Sequence, residues 1–155
     1  MGHQPQKLNS VSALQRIKDV IKRTPLDFNA RLSERYQCEI YLKREDQQVV
    51  RSYKLRGAYN MISQLQPDQL AKGVVCASAG NHAQGVALSA NKLSIHATIV
   101  MPRTTPLIKI DAVKSYGATV VLAGDNYSEA YEFSMKMVKK LARSGRMITI
   151  NLFAA

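Results

Sequence analysis

The sequence predicts an α/β protein: a parallel sheet with helices on both faces. Three observations carry that expectation. The stretches 74–77, 96–101, 119–122 and 147–151 are short, mostly apolar runs, the pattern of strands covered on both sides. The segments between them place apolar residues at helical spacing, as crossover helices do. After the first run, Ser78-Ala79-Gly80-Asn81 makes a small polar turn into a helix of small residues. In open α/β sheets, ligands bind beyond the carboxyl ends of the strands, where this turn would sit.

Taken in order, residues 10–22 carry Val11, Leu14, Ile17, Val20 and Ile21 at helical spacing, with Ser10 as N-cap. Thr24-Pro25 ends that helix, because the residue before proline is pushed out of the helical region. Residues 38–43 read as a strand through Ile40, Tyr41 and Leu42, and Arg44-Glu45-Asp46 as a charged turn. A helix follows over 52–64 with Leu55, Tyr59 and Ile62 inward, then a short helical turn at Pro67-Asp68. The strand 74–77 feeds a helix over 82–90. The strand 96–101 closes at Pro102, and Thr105 is expected to cap a helix with Pro106 in its first position. Gly117 stops that helix in the left-handed region. After the strand 119–122, Asn126 and Glu129 have capping-box spacing for a helix reaching about Arg143 and ending at Gly145. The strand 147–151 follows.

A chain of 155 residues suffices for one ordinary domain and is short for two. Its 46% hydrophobic and 21% charged residues describe a globular protein. No apolar run approaches the ~20 residues that cross a bilayer, and residues 1–7 lack the apolar core of a secretion signal. A cytoplasmic location and no membrane partner are the expectation. Cys38 and Cys76 match no metal spacing, so no metal site is expected, and Cys76 reads as a buried strand thiol. The net charge of +11 raises the question of a nucleic-acid partner. The basic residues are mostly scattered, apart from Lys136, Lys139, Lys140, Arg143 and Arg146. The first four share one helix face. No aromatic is interleaved to stack bases, and the cluster reads as a solvated face, with no nucleic acid expected.

Two stretches point to chemistry. The helix that begins after Ser78-Ala79-Gly80-Asn81 directs its first free N–H groups at one spot, which favours a carboxylate or phosphate. Gly80 presents no Cβ to a ligand, and Ser78 and Asn81 add side-chain donors. Upstream, Lys54 sits at a helix start among Ser52, Tyr53, Gly57 and Ala58. The helix dipole disfavours a cation there, and partial burial favours the neutral amine. A neutral amine is the form that attacks a carbonyl carbon.

The runs Tyr41-Leu42-Lys43-Arg44-Glu45-Asp46 and Ser52-Tyr53-Lys54-Leu55-Arg56-Gly57-Ala58-Tyr59-Asn60 resemble the cofactor-lysine region of the threonine dehydratases (threonine ammonia-lyases). Ser78-Ala79-Gly80-Asn81-His82-Ala83-Gln84-Gly85 is similar to their second central motif. Arg23-Thr24-Pro25-Leu26, Ile99-Val100-Met101-Pro102, Thr105-Pro106 and Gly117-Ala118 through Gly124-Asp125 agree in order and spacing. The resemblance covers about residues 10–153. It implies the smaller domain of a fold type II enzyme dependent on pyridoxal 5′-phosphate, with L-threonine or L-serine as substrate and 2-oxobutanoate and ammonia as the products from threonine. On the matching positions it implies that Lys54 bonds the cofactor aldehyde and later takes the substrate Cα proton. It implies that Asn81 hydrogen-bonds the cofactor's 3′ oxygen, and that Ser78, Gly80, Asn81 and His82 hold the substrate carboxylate. His82 contributes its backbone N–H, and its ring is given no role.

In that family the glycine-rich loop for the cofactor phosphate lies downstream of Ala155, so a second domain is expected to be largely missing. The resemblance assigns residues 1–50 to the larger domain and 51–155 to the α/β unit with the lysine. Tyr53 stands where phenylalanine is usual, and Ser94 where glycine often ends the preceding helix, at some expense in stability. The alternative expectation is a non-catalytic remnant, or one half of a split enzyme acting through association with itself, as a homo-oligomer, or with a partner.

Overall fold

The computed structural model describes residues 9–143 and 148–149. The chain opens with α1 (Ser10–Ile17), capped by Asn9, whose side-chain oxygen accepts the Ser12 N–H at 3.0 Å. Ser10 is therefore the first helical residue and not the cap. Asn and Ser are equally good caps, and the apolar stripe does not choose between neighbours. The helix ends at Ile17, well before Pro25; Val20 and Ile21 pack from the turn that follows.

Residues 26–43 depart furthest from expectation. β1 (Leu26–Phe28) and β2 (Tyr41–Lys43) form an antiparallel pair, joined through α2 (Ala30–Tyr36). Only the last three residues of the 38–43 stretch are strand. α2 buries no residue, so no apolar stripe announces it. It is defined by its ends: Asn29 accepts the Leu32 N–H at 3.0 Å, and Gln37 takes the left-handed conformation.

After a 3-10 turn at Glu45–Gln47, α3 (Lys54–Ile62) buries Leu55, Ala58 and Ile62, while Tyr59 is half-buried. α4 (Pro67–Leu70) leads into the main sheet. There β3 (Val74–Ala77), β4 (Ala97–Met101), β5 (Thr119–Leu122) and β6 (Ile148–Thr149) all run parallel in the order β5-β4-β3-β6. Their connections hold α5 (Asn81–Lys92), α6 (Leu107–Ser115) and α7 (Tyr127–Arg143).

Both faces of the sheet are covered, as the apolar runs predict. Val74, Cys76, Ile99 and Met101 cluster with Ala58 and Ile62 of α3, Val86 of α5 and Val113 of α6. The alternate residues Val75 and Val100 pack with Ala130, Met137 and Val138 of α7. β3 and β4 are buried at every position. Cys76 is the buried thiol expected, its pKa pushed up to about 12 by burial, which makes it inert packing.

Two helix starts differ in kind. α6 begins at Leu107 with Pro106 in the N-cap position, and Thr105, expected as cap, has a buried hydroxyl with no hydrogen-bond partner among the described residues. Proline fixes its own φ, while its ψ of 140° holds it outside the helix. At α7 half of the expected box forms: Glu129 N–H donates to Asn126 Oδ1 at 3.1 Å, while the Glu129 carboxylate accepts from Asn126 Nδ2 and from the N–H of Asp125, one residue earlier than the box requires. Lys136, Lys139, Lys140 and Arg143 are exposed along that helix, a solvated face. Arg146, Gly145 and the ends of the 147–151 strand lie outside the described residues.

Candidate active site

Lys54 is the first residue of α3 and is half-buried. Its N–H donates to Oγ of the buried Ser52 at 3.3 Å, and its Nζ lies 5.0 Å from the centre of the Tyr53 ring. The chain enters this turn from Arg51, held in the left-handed region at φ +57°. That conformation is strained for a residue with a Cβ. The Arg51 N–H donates to the Gln48 carbonyl at 2.9 Å, which helps to hold the bend.

The Ser78–Asn81 turn leaves the carboxyl end of β3. The Ser78 N–H still pairs with the Val100 carbonyl of β4 at 3.0 Å, so the sheet fixes the start of the turn. β4 lies on one side of β3 and β6 on the other, and the carboxyl end of the strand between such divergent connections is the ligand-binding edge of open sheets. Ser78 Oγ accepts the Gly80 N–H at 3.3 Å and keeps its own proton to donate. α5 has Gly80 as N-cap and no side-chain cap, so its first N–H groups carry the helix dipole without a side-chain acceptor. A Cβ built on Gly80 would meet nothing within 4 Å, leaving open space over the turn. Asn81 is exposed; Ser78, Gly80 and His82 are half-buried.

Gly85 joins the two stretches. A Cβ there would stand 3.1 Å from the Lys54 carbonyl carbon, 3.2 Å from its oxygen and 3.2 Å from the Leu55 nitrogen. Helix α3 therefore starts directly on α5, one turn beyond Asn81, and among the described residues the two helices make the most extensive helix–helix contact. Lys54 and the Asn81 turn lie on the same side of the sheet. Electrostatics agree: burial first, and then the Lys54 charge, lower the pKa of His82. The neutral His82 ring keeps a buried Nε2 with no hydrogen-bond partner among the described residues.

A carboxylate that sequence reading took for part of a charged turn proves central to the approach. Glu45 accepts two hydrogen bonds from Arg56, two residues beyond Lys54, and one each from Thr24 and Gln48. Its pKa is lowered to about 2, chiefly by the Arg56 hydrogen bonds. No periodicity links positions 45 and 56 across an irregular segment, so the sequence held no signal for this pair. Gly85 did leave one: a glycine inside a helix usually has a packing reason. Among the described residues no cluster of His, Cys, Asp or Glu could hold a metal ion. None of their helices is long and apolar enough to cross a membrane.

Residues 17–154 match the family described as pyridoxal-phosphate dependent enzyme. The chain belongs to that family. Among its relatives is the biosynthetic L-threonine dehydratase of Bacillus subtilis, 51% identical over 137 residues, covering 86% of this chain and 32% of that protein. The chloroplastic threonine dehydratase 1 of Solanum lycopersicum is 54% identical over 129 residues, covering 83% and 21%. In structure the chain is similar to the processed threonine deaminase isoform 2 of Solanum lycopersicum, with a TM-score of 0.81 and 43% identity over 98% of this chain and 43% of that one. It is also similar to maize serine racemase, with a TM-score of 0.84 and 30% identity over 94% and 43%. The α/β fold is thus that of the fold type II pyridoxal-phosphate enzymes, and the chain spans about a third or less of the length of these two curated relatives and under half of each solved chain.

The donor set is chemically compatible with the aldehyde end of the family's cofactor. It offers one half-buried amine at a helix start, an uncapped helix N-terminus and free space over Gly80.

Proposed function

We propose that this chain carries the lysine and substrate-carboxylate part of a threonine (serine) dehydratase site, where L-threonine becomes 2-oxobutanoate and ammonia. The observation that carries the proposal is the seating of the Lys54 main chain on Gly85, one turn beyond Asn81. Lys54 would hold the cofactor through its aldehyde carbon; once the substrate amine has replaced it there, the released Nζ would be the base placed to take the substrate Cα proton. Asn81 donates to the cofactor's 3′ oxygen. The N–H groups of Asn81 and His82, with the Ser78 hydroxyl and the open space over Gly80, hold the substrate carboxylate against the α5 dipole. Pyridoxal 5′-phosphate, when bound, supplies the electron sink that stabilises negative charge at Cα. The protein fixes the Cα proton within reach of one amine. Water is lost with the β-hydroxyl and regained when ammonia leaves, so the reaction balances. Residues 1–50 belong, in the same proposal, with a larger second domain, and 51–155 form the unit bearing the site.

Adding pyridoxal 5′-phosphate to the purified chain should give a visible absorption band of lysine-bound cofactor that Lys54→Ala removes. An unchanged spectrum in that variant would sink the assignment. A second reading, action through association with itself or with a complementary half, is favoured by the exposed Leu26, Phe28, Leu107 and Ile108. Sedimentation at several concentrations tests it, and a concentration-independent monomer would count against it.

A further inference from the structure

We propose that Glu45 is a positioning residue for the Lys54 amine, acting through Arg56; this rests on the reading of Lys54 as the cofactor lysine. Arg56 Nε donates to Glu45 Oε2 at 2.8 Å and Arg56 Nη2 to Oε1 at 2.7 Å, a two-pronged pair that fixes orientation as well as distance. The Thr24 hydroxyl donates to Oε1 at 2.5 Å and the Gln48 amide to Oε2 at 3.3 Å. Gln48 is itself buried and clasps Lys22, accepting its N–H at 3.0 Å and donating to its carbonyl at 2.8 Å. Residues 22–24, the 3-10 turn and the first turn of α3 are thereby tied into one unit.

Arg56 shares its helical turn with Lys54, so any shift of Arg56 is passed to the Lys54 backbone. That backbone also packs on Gly85 of α5, where an added Cβ would stand 3.1 Å from the Lys54 carbonyl carbon. The strained Arg51 immediately precedes the turn and would relax if the turn were released. Glu45 therefore closes one jaw of a clamp whose other jaw is α5. The side chains of Glu45 and Arg56 are only 15% and 27% exposed, so solvent screens the pair little. The network has no need to touch reacting atoms. It decides where the root of a long, flexible lysine sits, and a misplacement of about 1 Å costs on the order of a hundredfold in reactivity.

The test uses the full chain with Glu45→Gln, Arg56→Gln, their double variant, and Arg44→Gln as control, since among the described residues the Arg44 side chain pairs with Asp27 and Asp46 and not with Glu45. Two readouts are taken well below each variant's melting temperature: borohydride trapping of added pyridoxal 5′-phosphate with mass mapping of the labelled lysines, and amide hydrogen exchange over residues 52–58. Glu45→Gln should slow trapping at Lys54 by about tenfold relative to the other lysines and speed exchange over 52–58 by a similar factor. The double variant should be no worse than either single one, because one interaction is lost in all three. Arg56→Lys keeps the charge but loses the fork, and should slow trapping by about threefold even if a glutamine variant folds poorly. Unchanged lysine selectivity or unchanged exchange in Glu45→Gln, or single effects that multiply in the double variant, would overturn the inference alone. A wild-type chain that shows no preference for Lys54 would overturn the cofactor-lysine reading and this inference with it.

Discussion

Glu45 has consequences for stability as well as for placement. Its carboxyl is held at about 2 against an ordinary value of 4.5, so the folded chain binds that proton less readily than the unfolded one. Stability from this group is complete above about 4.5 and is lost as the pH falls towards 2. The loss should be on the order of 2 kcal/mol, a magnitude set by the shift and by the burial of the pair. Urea unfolding at a series of pH values should show this slope in the wild type, and Glu45→Gln should lack that component. A variant with the same acid slope would show that other carboxylates carry it. At this scale the sequence revealed the residue types without their partners. The family resemblance marked Lys54 and Asn81, whereas the pairing of Glu45 with Arg56 is a meeting in space.

At the scale of elements, the meeting of α3 and α5 is set by one missing methyl group. Gly85→Ala gains roughly 1 kcal/mol of helix propensity but forces backbone against backbone, where overpacking costs about 1–3 kcal/mol. A net loss of about 1 kcal/mol is expected in denaturant unfolding, with a larger fractional loss of cofactor trapping at Lys54. The end of α5 offers the opposite sign. Ser94 is exposed and held at φ +56°, the conformation that glycine adopts without steric penalty. Ser94→Gly should stabilise by about 0.5 kcal/mol, the relief of strain exceeding the added freedom of the unfolded chain; a lower melting temperature would contradict this. Periodicity made α3 and α7 legible because each has a buried stripe, whereas α5, buried at every position from Gly85 to Ala90, was legible from its small residues after a polar turn. It missed β1 and α2 because a three-residue strand and a helix with no buried residue leave no pattern.

Across the whole molecule, the core is layered around β3 and β4. Ile99 is fully buried at the centre of the β4 strand, in the cluster shared by α3, α5 and α6. Ile99→Ala should therefore cost about 2–5 kcal/mol in chemical denaturation, and a loss below 1 kcal/mol would mean that the cluster collapses around the gap. Its effect should spread to the α3 turn, since Ala58 and Ile62 share that cluster with Ile99. The net charge of +11 acts at this scale only as a diffuse field, because the basic side chains of α7 are spread along a solvated face.

The sequence by itself determined the order of the parallel strands along the chain, the helices between them and the two stretches that bear the chemistry. These follow from periodicity, caps and residue type, which act over a few neighbouring positions. Tertiary structure alone decided that α3 starts on Gly85 and that Glu45 grips Arg56. It also decided that Thr105 lies buried behind Pro106 without capping a helix. Each of these is a contact between groups far apart in sequence, or a choice among near-equal local options. Only packing supplies the energy to settle them.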